Sequence, residues 1–284
     1  MSSAISISKS KLIVTPIMST KTKFIISQNS KRNLIRNSEY NGYISKPTVK
    51  KIGQMVENLI FGIELFRNEN KGLRNLGSLQ PTFVTLTLSY GQIQNDKFIK
   101  RNMLMRFIEE MKKSEGVQNY IWRAEPQVNG NIHFHIIFDR FIKWQYVRKT
   151  WNSIQEKHDY IDAFEQKHGH RDPNSTDIHS LLKVDNIAAY ICKYMVKDKP
   201  LRKIEGRIWG CSANFHKAKN PRIEVCEHII QDLEELVKSG KVYKKVLEYC
   251  TIFRYKKNQI QETINNIIYN VYVEFVNSIV PLKL

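Results

Sequence analysis

The chain has 284 residues, enough for one good-sized domain with extensions. Its 45 Lys and Arg against 27 Asp and Glu give a formal net charge of +18, a field that favours polyanions, meaning nucleic acid or an anionic membrane surface. No apolar run is long enough to cross a bilayer, no signal peptide precedes the first basic residues, and Cys192, Cys211, Cys226 and Cys250 are scattered without a close pair. A membrane span, a zinc knuckle and a disulfide framework are therefore not expected; a reducing, cytoplasmic setting is.

Residues 1–45 are rich in Ser, Thr, Asn, Lys and Arg, with Glu39 as the only acid. They read as a basic, flexible N-terminal arm in which Lys11–Met18 offers an edge strand. Residues 46–78 hold a helix that starts at Pro47 with the apolar stripe Ile52, Met55, Val56, Leu59, Ile63 and Phe66, followed by a Gly/Asn-rich link. Residues 79–222 read as the main domain. Thr82–Tyr90 alternates Val84, Leu86 and Leu88 with Thr85, Thr87 and Ser89, the pattern of a strand with one greasy face. An amphipathic helix follows over 95–113, then a hairpin of Tyr120–Val128 with Asn131–Asp139. A polar helix over 143–167 turns Trp144, Val147, Trp151, Ile154 and Ile161 inward, and Thr176–Leu182 and Gly206–Ser212 are further strands. The order of elements predicts an α+β domain, an antiparallel sheet with helices packed on one face. Residues 223–284 read as a C-terminal accessory segment, mainly helical, with a strand-like or mixed stretch over 241–256. Its basic run Lys241–Lys257 interleaves Tyr243, Tyr249, Phe253 and Tyr255, a pattern that tracks a nucleic-acid strand or packs a subdomain equally well.

Two stretches carry chemistry. In Asn131–Asp139, His133 and His135 are two apart on a strand and share a face. Paired imidazoles are a poor core and good metal ligands. Their hairpin partner offers different residues in different registers. A two-residue Asn129-Gly130 turn sets Ala124 opposite His135. A three-residue turn, with Gly130 in the left-handed region, sets Glu125 opposite His133, with Gln127 as neighbour and competing third ligand. The second register, which we favour, makes a two-imidazole, one-carboxylate site suited to Mn²⁺ or Mg²⁺. His168-Gly169-His170 has the same spacing but lies among loop residues, and no role is assigned to it.

The second stretch is a helix capped by Asp185 or Asn186. Tyr190, Lys193, Tyr194 and Lys197 fall on one stripe, and Ala188, Ile191, Cys192 and Met195 fall opposite. A stripe usually reserved for burial thus carries two phenols and two ammonium groups.

Together, His133-Phe134-His135 with Glu125 before it and Tyr190–Lys197 after it resemble the HUH endonucleases. The likeness is greatest to their two-tyrosine rolling-circle replication initiators of small single-stranded DNA phages and plasmids. It covers roughly residues 80–215, with Thr85–Leu88 as a weak match to the family's first motif. Gly206–Ser212 is also similar to the strand that comes after the tyrosine helix in such initiators.

The resemblance implies a HUH, ferredoxin-like Rep fold in which His133, His135 and Glu125 hold a divalent ion. Tyr190 and Tyr194 would be nucleophiles, assisted by Lys193. Arg123, Lys197, Arg207 and Trp209 are candidate DNA contacts. It also implies a single-stranded DNA origin as partner, a separate host helicase and polymerase, and no membrane. A HUH transposase or relaxase, or a non-catalytic nucleic-acid-binding protein, remains open as an alternative.

Overall fold

In the computed structural model, residues 3–17, 44–74, 76–180, 193, 202–255 and 265–283 are described. The chain divides into two compact units, one of residues 41–217 and 280–284, the other of residues 1–40 and 218–279. The architecture is α+β, with an antiparallel five-stranded sheet in each unit.

The larger unit opens with helix α1, Lys46–Glu69, capped where the Ser45 side chain accepts from Thr48 N. Its stripe of Ile52, Met55, Val56, Leu59 and Ile63 is buried, and Phe66 is half-buried. The sheet takes strand β3 (Thr82–Leu86), the hairpin β4 (Tyr120–Pro126) and β5 (Ile132–Phe138), β6 (Thr176–Ser180) and β7 (Trp209–Cys211). Their order across the sheet is β6-β3-β5-β4-β7. Alternation assigns the faces. Val84, Leu86, Trp122, Ala124, Phe134, Ile136 and Phe138 point into the main core. A helix over residues 96–114, α2, supplies Leu104, Phe107, Ile108 and Met111 to that core.

Helix α2 begins with a turn at Asp96–Phe98, passes through a π-helical stretch, Ile99–Leu104, and ends as Met105–Ser114. The single helix expected over 143–167 is two, α3 (Trp144–Glu156) and α4 (Tyr160–His168), parted at Asp159 with φ 68°. The break lets Tyr160 enter the core fully buried, where its hydroxyl accepts from Ile93 N at 3.1 Å and Gln94 N at 3.4 Å. Val147, Trp151, Ile154 and Ile161 face inward as expected; Trp144 does not, and is 52% exposed. It is the first residue of α3, so the inner stripe only starts at Val147.

At Gly210 in β7, an added Cβ would lie 2.7 Å from Trp122 Nε1 and 2.8 Å from Trp122 Cε2. Only glycine lets this edge strand close against the indole.

The smaller unit begins within the stretch whose composition reads as an arm. Residues 3–16 form strands β1 (Ser3–Ser8) and β2 (Lys11–Pro16), which join β8 (Arg222–Val225), β9 (Val242–Val246) and β10 (Thr251–Tyr255) in the order β8-β1-β2-β10-β9. The possible edge strand at Lys11 is thus an interior one. Ile5, Ile7, Leu12 and Val14 alternate into the core. Helices α6 (Glu227–Lys238) and α7 (Asn266–Ile279) cover that face with Ile229, Leu233, Ile268, Tyr272 and Val276. A short helix, α5 (Ala213–Lys217), precedes β8. The stretch over 241–256, read as strand-like or mixed, is thus the hairpin of β9 and β10 between helices, and its β-branched and aromatic residues find a partner strand far away in sequence.

Candidate metal centre

The hairpin sets the geometry. Gln127 N donates to Asn131 O at 2.8 Å and Gly130 N to Gln127 O at 2.9 Å, with Gly130 at φ 85°. This is the three-residue turn, and it places Glu125 opposite His133 and Arg123 opposite His135. One Glu125 oxygen, Oε1, lies 2.8 Å from His133 Nε2 and 2.9 Å from His135 Nε2. One ligand atom from each of the three residues lies within 4.8 Å of the others. Glu125 is 3% and His135 4% exposed, while His133 sits at the mouth of the cluster. Gln127 stands at the turn, half-buried; the carboxylate brought to both imidazoles is that of Glu125.

Burial opposes ionisation of Glu125, yet hydrogen bonds from His133 and His135, and their charge, outweigh it and hold the carboxyl well below the usual carboxylate range. The donors fit a small divalent ion. Three atoms bound at about 2.1 Å and at right angles are about 3 Å apart, close to the 2.8 and 2.9 Å here. His135 is oriented from behind, with Nδ1 3.1 Å from Thr85 Oγ1 on β3. A hydroxyl can donate to that nitrogen or accept from it, so the contact persists when Nε2 exchanges a proton for a metal. His133 Nδ1 is buried without a hydrogen-bond partner among the described residues. Phe83 stacks on the His135 ring at 5.5 Å and 10°.

The other candidates divide. Arg123 is 4% exposed beside the triad, its Nη2 4.0 Å from Glu125 Oε2. Trp209, opposite Arg123 on β7, is half-buried with Lys51 Nζ 5.8 Å from its ring centre. Arg207 is exposed, and its carbonyl accepts from Lys100 Nζ at 2.9 Å. Lys193 is an exposed helical residue. Tyr190, Tyr194 and Lys197 lie outside the described residues.

One cluster has no local sequence signal. Arg202 binds buried Asp96 through two 2.7 Å contacts, donates to Gln92 Oε1 at 3.1 Å, and from Nε to Gly130 O at 2.6 Å. Gln92 N in turn donates to Asn131 Oδ1 at 2.9 Å, and Glu205 N to Asp96 Oδ2 at 3.0 Å. The cluster ties residues 202–207 to the start of α2 and to the turn of the metal hairpin. Burial opposes the ionised Asp96, but Arg202, Gln92 and the Glu205 amide prevail and lower its pKa. Burial lowers the pKa of Lys100, whose ammonium also meets the Glu205 carbonyl.

An antiparallel sheet with a His–His–carboxylate centre buried on one face defines an α+β protein with a candidate divalent-metal site. Residues 81–199, less than half of the chain, match the family model for replication-associated protein ORF2. That span contains Glu125, His133 and His135 and continues through Tyr190 and Tyr194, and it likens the chain to proteins associated with DNA replication. No curated protein and no solved structure matches the chain.

Proposed function

We propose that this chain is a divalent-metal-dependent endonuclease that nicks and rejoins single-stranded DNA to initiate rolling-circle replication. The observation that carries the reading is the Glu125–His133–His135 cluster, buried on the sheet within the span that matches the replication-associated family. Its donor set suits Mn²⁺ or Mg²⁺, and a bound ion would supply Lewis-acid polarisation of the scissile phosphate.

The chain's own groups do the rest. A tyrosine hydroxyl, of Tyr190 or Tyr194, attacks phosphorus in line as its proton leaves. A P–Oη bond forms and the P–O3′ bond breaks, leaving a 5′-phosphotyrosine and a free 3′-OH for a host polymerase to extend. The reverse attack by a 3′-OH rejoins the strand and restores the phenol. Lys193 screens the phosphate charge. The helix read from the sequence would put the two tyrosines one turn apart, about 6 Å along its axis, so that the second could cut a regenerated origin while the first still holds DNA. A phenol with a pKa near 10 is a weak nucleophile at neutral pH, hence the need for a cation beside it.

The reaction is assigned to residues 79–222, with 223–284 accessory and a separate helicase unwinding the template in the cytoplasm of the host. Among the described residues no helix is long and apolar enough to cross a membrane.

The test is incubation of the full chain with single-stranded DNA libraries and Mn²⁺. A protein–DNA adduct that survives denaturation, and that is lost in Tyr190→Phe/Tyr194→Phe, is expected. Binding with no adduct under any metal would make the protein a non-catalytic nucleic-acid binder.

A further inference from the structure

A second concave site lies at the outer end of the same sheet. A cavity of about 370 Å³ opens between edge strand β6, the segment after β5 and the start of α3. That volume lies within the roughly 300–1,000 Å³ common for small-ligand pockets. Its walls include Phe141, Trp144, Arg148, Asn174, Asp177 and His179. Phe141 is 50% and Trp144 52% exposed, although both are large apolar rings in a unit with a well-filled core. The Arg148 guanidinium stands 4.9 Å from the Trp144 ring centre and donates to Asn174 Oδ1 at 2.5 Å. Trp144 and Arg148 are therefore held in place, ready to receive a planar partner. Arg148 Nε is buried with no hydrogen-bond partner among the described residues.

We propose that this cavity binds one unpaired nucleobase of the DNA strand that the metal centre acts on. The inference rests on the nucleic-acid reading given above and names a place for part of that substrate. Three features select a base over another planar ligand. First, aromatic faces beside an arginine are how proteins hold unpaired bases, because every base has a π-face. Second, exposed Lys143 and Lys149 adjoin the lining residues Trp144 and Arg148 in sequence, and no acid occurs from Arg140 to Gln155, so a polyanion's backbone is attracted to this segment. Third, the cavity connects to the metal centre through the sheet. Thr85 is paired with both Asp177 and His135, and Phe83 stacks on the His135 ring at 5.5 Å and meets the His179 ring, tilted by 34°, at 6.2 Å. Two strand spacings separate the rows, about 10 Å, a gap an unpaired strand spans within a few nucleotides.

The polar groups give a base preference. The Asp177 carboxylate, 2.8 Å from His179 Nε2, accepts hydrogen bonds and repels phosphate. It therefore favours a base edge carrying an exocyclic amine, as in cytosine or adenine, over thymine.

The test uses the full chain with chelator present, so that binding is read without reaction. Anisotropy of labelled single-stranded oligonucleotides should show about tenfold weaker binding for Trp144→Ala, the loss typical of one stacked base. Trp144→Phe should retain most of the affinity, which separates stacking from misfolding. An abasic scan along the oligonucleotide should find one position whose removal costs as much as Trp144→Ala and adds nothing in that variant. Asp177→Asn should narrow the preference for amine-bearing bases at that position. Wild-type affinity in Trp144→Ala, or abasic losses that are all additive with it, overturns the pocket. An adduct formed normally alongside that result leaves the nicking reading standing. Trp144-dependent binding with no adduct under any metal removes the nicking reading and keeps the base site.

Discussion

The two sheets of this protein handle polarity in opposite ways. In the unit built on β1, β2, β8, β9 and β10, Ser8 is the only buried polar residue among those described, and Tyr243, Lys244, Lys245 and Arg254 lie on exposed positions. In the unit built on β3–β7, Asp96, Lys100, Arg123, Glu125, His135, Asp139 and Arg140 are all buried. Burying charge costs free energy unless every group is paired, and an apolar core of equal volume is often as stable. The first unit buries an almost wholly apolar core. The buried charges of the second include Glu125 and His135 of the group that could hold a metal ion, and such a concentration of buried charge is a pointer to a functional site.

The largest expected effect is at the triad. His133→Ala or His135→Ala should lower adduct formation by more than about 100-fold, the upper loss seen when only a ligand's supporting contact is removed. DNA affinity should change little, because it rests on phosphate contacts. A gel resolving covalent adduct from bound DNA separates the two outcomes. Among the described residues of the other unit there is no equivalent: Lys245→Ala should alter denaturation free energy by no more than about 0.5 kcal/mol, the usual range for surface changes.

Next in size is the Arg202–Asp96 clamp. Arg202→Ala should cost about 2–3 kcal/mol in urea denaturation, below the range for a fully buried pair because Arg202 is 31% exposed. Asp96 and Glu125 have depressed pKa values in the folded chain, so their contribution is complete above about pH 5 and is lost as pH falls through the unfolded and then the folded values. Stability should therefore drop on acidification below about pH 5, and Asp96→Asn should flatten part of that slope. Gly210→Ala, which drives a methyl into the Trp122 ring, should cost about 1–3 kcal/mol. Smallest is Thr85→Val, which keeps the shape and removes the contact to His135 Nδ1. It should weaken Mn²⁺ binding about tenfold while leaving the melting temperature of the metal-free protein nearly unchanged.

The sequence exposed the site more readily than the fold around it. Period-two alternation put His133 and His135 on one face, and the left-handed preference of Gly130 selected the register that brings Glu125 to them. Both signals are local. The pairing of residues 3–16 with strands beyond 222 is not, and a stretch rich in Ser and Lys carries no mark of a partner so far away. Arg202 and Asp96 were hidden for the same reason, since each is an ordinary charge until the fold sets them together. Trp144 shows the limit of helical periodicity, which gives the stripe and not the residue at which burial begins. Apart from Lys193, the tyrosine helix read from Tyr190 to Lys197 falls outside the described residues, and its role rests on the sequence pattern and on the family match.

Calorimetric titration of the full chain with Mn²⁺ tests the central claim most directly. The account predicts one ion bound per chain, and loss of that binding in His133→Ala, His135→Ala and Glu125→Ala. Unchanged stoichiometry and affinity in all three variants would contradict it.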